Sequence, residues 1–367
     1  MTLTPIRPQP QPGILSIAPY QPGKSQAAPG VTPVKLSANE SPLGASPAAI
    51  AALREISLNP EVYPEGTSRI LRDALGEVHG LDPERIVCGN GSDDLLHLLA
   101  QCYLGVGDNA VMSRHGFNVY PIVTRAASAE LIMVPETEYR ADVDAILAAI
   151  TPQTRVVWLA NPNNPTGTYL PHAEIQRLHA GLRPDILFVL DSAYAEYATA
   201  PDYRPGVDLV DAADNVVMVR TFSKMGLAAA RIGWLYGPAH VVDVLNRVRG
   251  PFNVNRPAQF AGAAAARDRA FTEELAAYNA TWRTWLTTAL HANAIRIVPS
   301  EANFVLALFA DADTARAAFS ALFNEGLIVR EMGVYGIENG LRISIGPEAA
   351  LRRLVEILRA FGAPGGR

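Results

Sequence analysis

The sequence predicts an α/β protein whose mostly parallel central sheet has helices on both faces, together with a smaller α+β domain. From about residue 47, short apolar runs rich in β-branched residues alternate with helical patterns, which is typical of parallel strands joined by helices. After Pro251, two long helical patterns precede three shorter strands. The length of 367 residues also favours about two domains.

The elements can be placed in order along the chain. The first 35 residues contain eight prolines and little periodicity, so we expect an extended N-terminal arm over residues 1–35. We expect strands of the larger domain at residues 86–88, 110–112, 131–134, 155–160, 186–190, 216–220 and 232–236, with helices such as 92–104 and 172–181 between them. In the smaller domain we expect helices at about 257–269 and 271–291 and strands at 303–309, 326–330 and 341–345. The predicted larger domain is 46–250, and the smaller one combines 36–45 with 251–367.

Composition and charge exclude several classes of protein. Hydrophobic residues are 49% of the chain and charged residues 18%, which is typical of a globular protein and not of a disordered one. A net charge of −5 provides no overall attraction to nucleic acid or to an anionic membrane. No run of eighteen apolar residues and no signal-peptide pattern is present. Cys88 and Cys102 fit no disulfide framework, and the seven histidines lack ligand spacing, so we expect a cytoplasmic protein without a metal site.

Several chemically useful residues follow the predicted strands, where ligands collect in an open α/β sheet. The segment GNGSDD (89–94) places Ser92 and Asp93 at a helix N-terminus, which suits an anion, although a tight turn capped by Ser92 is an equally simple interpretation. The other groups that follow strands are Phe117, Asn161 at the start of NPNNPTG (161–167), Asp191 with Tyr194, and Ser223 with Lys224. Each is weak evidence alone, since a core aromatic or a helix cap would look the same.

Taken together, these groups meet the chemical needs of pyridoxal 5'-phosphate. An aldehyde cofactor needs an amine, and lysine occurs only at positions 24, 35 and 224, so Lys224 is the candidate that follows a strand. A carboxylate such as Asp191 favours the protonated ring nitrogen, and an aromatic face such as that of Phe117 can hold the ring in plane. Dipoles and an arginine suit the phosphate.

The same segments resemble those of a known family. The motifs NPNNPTG (161–167), DSAYAEY (191–197), TFSKMGLAAARIG (221–233) and LRISIG (341–346) are similar to those of the fold-type-I, pyridoxal-phosphate-dependent aminotransferases, in the branch that contains histidinol-phosphate aminotransferase. The resemblance covers almost the whole chain, with APYQPGK (18–24), KLSANESPLG (35–44), YPEG (63–66) and CGNGSDDLL (88–96) at matching spacings. It implies that imidazole-acetol phosphate and L-glutamate are converted to L-histidinol phosphate and 2-oxoglutarate.

The resemblance also implies roles for individual residues. Lys224 resembles the lysine that binds the cofactor and transfers the proton, and Asp191 the partner of the ring nitrogen. The remaining cofactor residues implied are Asn161 and Tyr194 at the ring hydroxyl, Phe117 on the ring face, and Ser92, Asp93, Ser223 and Arg231 at the phosphate. Tyr63 resembles a tyrosine that reaches the phosphate from a second subunit, which implies a homodimer. On the substrate side, the resemblance implies Arg342 for the carboxylate, Arg330 and Tyr20 for the phosphate end, and Asn39 and Asn303 along the pocket.

Some features differ from the family pattern or leave alternatives open. The seven-residue step from Lys224 to Arg231 is one shorter than in many relatives, and it has three alanines where relatives usually have a glycine. An aromatic amino acid aminotransferase, or a decarboxylase of a phosphorylated amino acid, would use the same cofactor site. A ligand-sensing regulator would need a basic DNA-binding module, and the proline-rich first 35 residues contain no helix-turn-helix pattern.

Overall fold

The structure, a computed structural model, describes residues 10–11, 13–19, 30–56 and 61–362. Its strands are β1 (Val34–Lys35), β2 (Ile86–Gly89), β3 (Asn109–Ser113), β4 (Glu130–Val134), β5 (Glu136–Thr137), β6 (Arg140–Ala141), β7 (Thr154–Ala160), β8 (Leu187–Asp191), β9 (Val216–Thr221), β10 (Gly233–Tyr236), β11 (Arg296–Val298), β12 (Phe304–Leu308), β13 (Leu327–Ile328), β14 (Arg330–Glu331) and β15 (Gly340–Ser344). Its helices are α1 (Pro47–Ile56), α2 (Arg69–His79), α3 (Ser92–Tyr103), α4 (Val119–Ala126), α5 (Val143–Ala148), α6 (His172–Gly181), α7 (Val207–Ala212), α8 (Ala239–Val248), α9 (Arg256–Arg267), α10 (Arg269–His291), α11 (Ala312–Asn324) and α12 (Glu348–Leu358).

The central sheet has seven strands in the order β2–β10–β9–β8–β7–β3–β4. β10 runs antiparallel to both of its neighbours, and the pairs from β9 through β4 are parallel. The predicted α/β class with a mostly parallel sheet is therefore confirmed. All seven strands predicted for this sheet are present, each within one residue of the predicted bounds.

Both faces of the central sheet are buried, which explains why its strands are continuous apolar runs. Along β9, Val216 and Met218 face one hydrophobic core, while Val217 and Val219 face the core on the other side. This alternation leaves only the strand ends for polar chemistry. The candidate site residues of the sheet accordingly lie at or just after the carboxyl ends of β7, β8 and β9.

A second sheet of four strands has the order β11–β12–β15–β14 and packs with α10, α11 and α12. The predicted strand 326–330 is present as two short strands, β13 and β14, on either side of Val329. β13 pairs with β1 in parallel, with Val34 opposite Leu327. Because of this pairing, the segment that follows β1 lies beside the second sheet, where the Ser344 N–H of β15 donates to the Leu36 carbonyl.

Helix α9 packs into the hydrophobic core on one face of the central sheet. Ala258 and Ala261 are fully buried in the same hydrophobic cluster as β9 residues, and α9 packs along α1 and α2. The predicted boundary at Pro251 would assign this helix to the smaller domain. On the packing, we propose that the larger domain extends through α9. Within the described residues, no helix combines the length and apolar character needed to cross a membrane.

Candidate active site

The carboxyl ends of β7, β8 and β9 meet the N-terminus of α3 and residues 35–40 around one cavity of about 270 Å³. Eleven of the residues predicted from the sequence line this cavity: Asn39, Ser92, Asp93, Phe117, Asp191, Tyr194, Ser223, Lys224, Arg231, Arg330 and Arg342. These residues lie up to 303 positions apart in the chain, so the fold and not the sequence separation brings them together.

Lys224 lies in a short helical turn, Ser223–Leu227, directly after β9. Gly226 in this turn has a φ of +85°, and a Cβ atom there would clash with the carbonyl of Gly44, so only glycine fits. Burial, reinforced by the charge of Arg342, lowers the pKa of Lys224 to about 8. Among the described residues, the Lys224 ammonium has no ion-pair partner. The amine therefore lies at the cavity wall, where it is easily deprotonated and available to a ligand.

Asp191 ends β8 and is 4% exposed. Burial raises the pKa of its carboxyl to about 6, against the effect of two hydrogen bonds that favour the ionised form. The Tyr120 hydroxyl donates to Oδ2 at 2.8 Å, and the backbone N–H of Ala193 donates to Oδ1 at 3.2 Å. Among the described residues, no cationic side chain lies within ion-pair distance of Asp191. A buried carboxylate without a cation fits the protonated nitrogen of a pyridine ring.

The N-terminus of α3 forms an anion cradle with β9 and the segment after it. Arg231 donates to Ser223 Oγ at 3.3 Å, and its other terminal nitrogen lies 3.4 Å from Asp93 Oδ2. Gly91 precedes the helix with a φ of +87°, and a Cβ atom there would clash with the Arg231 guanidinium. The backbone N–H groups at the start of α3, the Ser223 hydroxyl and the arginine thus face one small space that suits a phosphate.

The opposite wall is built around Arg342 of β15, which is 7% exposed. Its guanidinium donates to Asn164 Oδ1 at 2.6 Å and to the Ser37 carbonyl at 2.7 Å. Tyr194 accepts a hydrogen bond from the Asn39 amide at 3.0 Å, and Ser344 in turn donates to Asn39 Oδ1 at 2.9 Å. The guanidinium of Arg342 is therefore held in place by two hydrogen bonds, an arrangement that suits bidentate binding of an anion.

The structure differs from the sequence prediction at Asn161. Its carboxamide donates to the Leu170 carbonyl at 3.0 Å and accepts from the Leu170 N–H at 2.8 Å, so both of its polar atoms are occupied by backbone. Asn161 does not line the cavity, whereas Asn164 of the same motif does. The repeated asparagines of NPNNPTG gave no way to separate these two roles from the sequence.

Two other predicted residues, Asn303 and Tyr63, lie outside the cavity wall. Asn303 is buried behind Asn39 and donates to its carbonyl at 3.0 Å, so it supports the wall without lining it. Tyr63 is 78% exposed and stacks on Phe252 with ring centroids 4.9 Å apart. Tyr20 lies outside the described residues.

The sequence analysis missed several residues that the structure places at the site. Tyr120 of α4, whose ring packs edge-on against Phe117 with centroids 5.8 Å apart, donates a hydrogen bond to Asp191. Lys35 and Glu40 form an ion pair of 2.8 Å on the cavity wall, and Tyr335 also lines it. The presence of Lys35 and Glu40 inside the quoted motif KLSANESPLG was a signal, but nothing in the motif indicates which side chains face inward.

Comparison with known proteins places the chain in a family. Residues 31–358 match the family model "Aminotransferase class I and II". Histidinol-phosphate aminotransferases of Rhodopseudomonas palustris (strain BisB18) and Rhodospirillum rubrum are each 52% identical to the chain, over 97% and 99% of its length and 99% of theirs.

A solved structure agrees with these relatives. The crystal structure of histidinol-phosphate aminotransferase from Sinorhizobium meliloti in complex with pyridoxal-5'-phosphate matches with a TM-score of 0.85 and 29% identity, over 90% of this chain and 92% of that one. The chain belongs to the class I and II aminotransferase family.

Proposed function

We propose that the chain is a histidinol-phosphate aminotransferase that uses pyridoxal 5'-phosphate. It transfers the amino group of L-glutamate to imidazole-acetol phosphate, giving L-histidinol phosphate and 2-oxoglutarate. The observation that carries the proposal is one cavity lined by a half-buried lysine, a buried carboxylate without a cation, an anion cradle and two further arginines. The relatives named for this activity, at 52% identity over nearly the full chain, support the choice of substrate.

The residues present fit the cofactor. When bound, pyridoxal 5'-phosphate supplies an aldehyde and a ring that accepts electrons from the bonds broken at the substrate. Lys224 would hold the aldehyde, Asp191 the protonated ring nitrogen, and Phe117 one ring face. Asn164, in place of Asn161, and Tyr194 would hold the ring hydroxyl. The phosphate would lie against Ser92, Asp93, Ser223 and Arg231.

Lys224 is the proton carrier in this proposal. Its pKa of about 8 leaves part of the amine neutral near pH 7.5, so it can take a proton from a substrate carbon and return it elsewhere. Burial provides this depressed pKa. Thr221 and Ser223 border the lysine turn and join it to the anion cradle.

Arg342 and Arg330 have different roles in substrate binding in this proposal. Arg342, held by Asn164 and the Ser37 carbonyl, would bind the α-carboxylate of glutamate in a bidentate manner. The phosphorylated substrate has no such carboxylate, so Arg342 and Arg330 together would take its phosphate, with Tyr20 from the N-terminal arm. One pair of arginines can serve both substrates because carboxylate and phosphate present similar oxygen geometry.

We also propose that the active form is a cytoplasmic homodimer with small-molecule substrates as its partners. Tyr63 is exposed on the described chain and would complete the phosphate cradle of the other subunit. Cys88 and Cys102 are free thiols, which is compatible with a reducing compartment.

A substrate panel tests the proposal against the aromatic aminotransferase. Purified protein reconstituted with pyridoxal 5'-phosphate is given 2-oxoglutarate with either L-histidinol phosphate or L-phenylalanine, and glutamate formation is followed. We expect kcat/KM for L-histidinol phosphate to be higher by at least about 100-fold, since phenylalanine leaves the phosphate-binding groups unpaired. Equal or better turnover of phenylalanine would overturn the choice of substrate, and no turnover of either would overturn the transaminase assignment.

A further inference from the structure

The segment after β8 touches the Lys224 turn at a second place, outside the catalytic cavity. Residues Tyr194 to Tyr197, here called the 194–197 turn, follow Asp191 closely, and the Tyr197 N–H donates to the Tyr194 carbonyl at 3.0 Å. The Tyr197 side chain is 1% exposed, and its hydroxyl donates to the backbone carbonyl of Lys224 at 2.5 Å. The main chain of the lysine is therefore bound directly to the segment that carries Asp191 and Tyr194.

Glu196 makes a second link between the same two segments. Its Oε1 lies 2.6 Å from Nη2 of Arg220, which belongs to β9 four residues before Lys224. Both side chains are largely buried, 11% and 7% exposed, and the guanidinium lies 5.3 Å from the Trp234 ring centre. Among the described residues, Glu196 Oε2 and Arg220 Nε have no hydrogen-bond partner. The charge of each side chain is therefore compensated mainly by the other.

Stability alone is a poor explanation for such a pair. Removing two charges from water costs more than a surface ion pair returns, and apolar residues of similar size often replace a buried pair without loss of stability. A second cavity of about 390 Å³, distinct from the catalytic one, is bordered by Glu196, Phe222, Met225 and Trp234. Phe222, Met225 and Leu227 anchor the lysine turn in the hydrophobic core. The ion pair and the Tyr197 hydroxyl add direct links from β9 and the turn to the segment that carries Asp191.

We propose that Glu196 and Tyr197 are positioning residues that hold Lys224 at a fixed place relative to Asp191 and Tyr194. Glu196 acts through Arg220 on the end of β9, and Tyr197 acts on the Lys224 carbonyl. A lysine that moves a proton between two sites must keep its amine within reach of both, and a displacement of about 1 Å can cost about 100-fold in rate. The inference rests on the proposed role of Lys224 in binding pyridoxal 5'-phosphate.

The test replaces both charges at once. The double variant Arg220→Met with Glu196→Leu removes the ion pair without leaving a charge unpaired, and Tyr197→Phe removes only the hydroxyl. The control is Arg72→Met with Glu84→Leu, an ion pair of 2.9 Å in which the arginine is largely buried and the glutamate is exposed, and neither residue lines either cavity. Each protein is measured for apo-protein melting temperature, for the Kd of pyridoxal 5'-phosphate, and for kcat and KM with glutamate.

A further readout does not depend on turnover. Apo-protein is mixed with pyridoxal 5'-phosphate, samples are quenched with borohydride at set times, and mass spectrometry follows the rate at which the cofactor becomes attached at Lys224. We expect this rate, the affinity for the cofactor and kcat each to fall about tenfold or more in the double variant, with KM for glutamate within threefold. Tyr197→Phe is expected to move the same quantities in the same direction, while the apo-protein melting temperature stays within a few degrees of wild type.

The outcomes separate the inference from the proposed function. The inference is wrong if, in both the double variant and Tyr197→Phe, the labelling rate, the affinity for the cofactor and kcat all stay within twofold of wild type. Glu196 and Tyr197 are then structural only. If the double variant fails to fold, Tyr197→Phe decides the question alone. If wild-type apo-protein neither binds the cofactor nor becomes labelled at Lys224, the proposed function itself fails.

Discussion

The hydroxyl of Tyr120 donates a 2.8 Å hydrogen bond to Oδ2 of Asp191 inside the protein core. Tyr120 is 1% exposed and stacks in parallel on Trp158, with centroids 5.4 Å apart, so its ring has little freedom to turn away. The bond stabilises the ionised carboxylate against the opposing effect of burial. A residue outside the cavity wall therefore helps to decide the charge of a group on that wall.

Tyr120→Phe should weaken the binding of pyridoxal 5'-phosphate. As the pH is lowered, this binding should also be lost at a higher pH than in wild type. A hydrogen bond to a charged group contributes about 1.5–3 kcal/mol, which corresponds to about ten- to a hundredfold in Kd for pyridoxal 5'-phosphate. Without the donor, the pKa of Asp191 rises further above about 6, so its ionised fraction falls at a higher pH. Lys224, Asp93 and the Ala193 N–H, which also act on Asp191, are unchanged by this substitution.

Titrations of apo-protein with cofactor between pH 5.5 and 8 check this prediction. Tyr203→Phe is the matched control, because it removes a buried hydroxyl that donates to the Asn161 carbonyl at 3.1 Å and does not touch Asp191. An unchanged pH dependence in Tyr120→Phe would show that Asp191 does not need this donor.

Apo-protein carrying Lys224→Met should be more stable than wild-type apo-protein at neutral pH. Burial lowers the pKa of Lys224 from 10.5 to about 8, so the folded state binds this proton less tightly than the unfolded state does. Protonation therefore opposes folding, most strongly below pH 8, and this cost disappears as the pH rises from about 8 to about 10.5. The shift corresponds to about 3 kcal/mol in the free energy of unfolding.

Denaturant unfolding of both apo-proteins at pH 7, 8, 9 and 10 tests the sign. The advantage of Lys224→Met should be largest at pH 7 and shrink steadily with rising pH. A constant difference would mean that packing, and not the buried charge, sets the effect.

Arg342→Lys should impair the glutamate half-reaction more than substitution of Arg330 does. Lysine keeps the charge, but its single ammonium group cannot donate to both Asn164 and the Ser37 carbonyl while also binding a carboxylate in a bidentate manner. We expect kcat/KM for glutamate to fall about 100-fold in Arg342→Lys. Arg330→Lys should affect L-histidinol phosphate more than glutamate. Stopped-flow measurement of each half-reaction separates the two, and equal losses for both substrates in both variants would contradict the division of roles.

The two asparagines of NPNNPTG should respond differently to alanine. Asn164→Ala removes a support of Arg342 and a cavity-lining group, so cofactor affinity and kcat/KM for glutamate should both fall about tenfold with little change in stability. Asn161→Ala removes both hydrogen bonds to Leu170 and should lower the free energy of unfolding by about 1–3 kcal/mol. Thermal unfolding and cofactor titration of both variants check this. The reverse pattern would restore Asn161 as the ring-hydroxyl partner.

Complementation between subunits tests the role of Tyr63. Tyr63→Ala and Lys224→Ala should each be poorly active alone, because each disables every site of its own dimer. If Tyr63 serves the other subunit, refolding the two variants together produces mixed dimers with one intact site, and activity should recover to about one quarter of wild type. No recovery in dimers whose mixed composition has been verified by mass spectrometry would place Tyr63 outside the partner's site.

The order of strands and helices was predictable from the sequence because local patterns decide it. An apolar β-branched run such as 216–220 predicts a strand without reference to the rest of the chain, and a polar residue such as Asp191 indicates where a strand ends. Every strand predicted for the central sheet is present. The short hairpin β5–β6 and strand β11 went unpredicted, since strands of two or three residues leave no period to detect.

By itself, the sequence determined the α/β class, the family and half of the residues that line the cavity. Lys224 stands out because lysine occurs at only three positions and only this one follows a predicted strand of the sheet, and Asp191 because it comes directly after the apolar strand 186–190. Only the tertiary structure decided that Asn164 and not Asn161 faces the cavity, that Asn303 supports Asn39 from behind, and that Tyr120 binds Asp191. These distinctions depend on which way each side chain points and on what lies across from it. Such contacts join residues as far apart as 264 positions, and no local pattern encodes them.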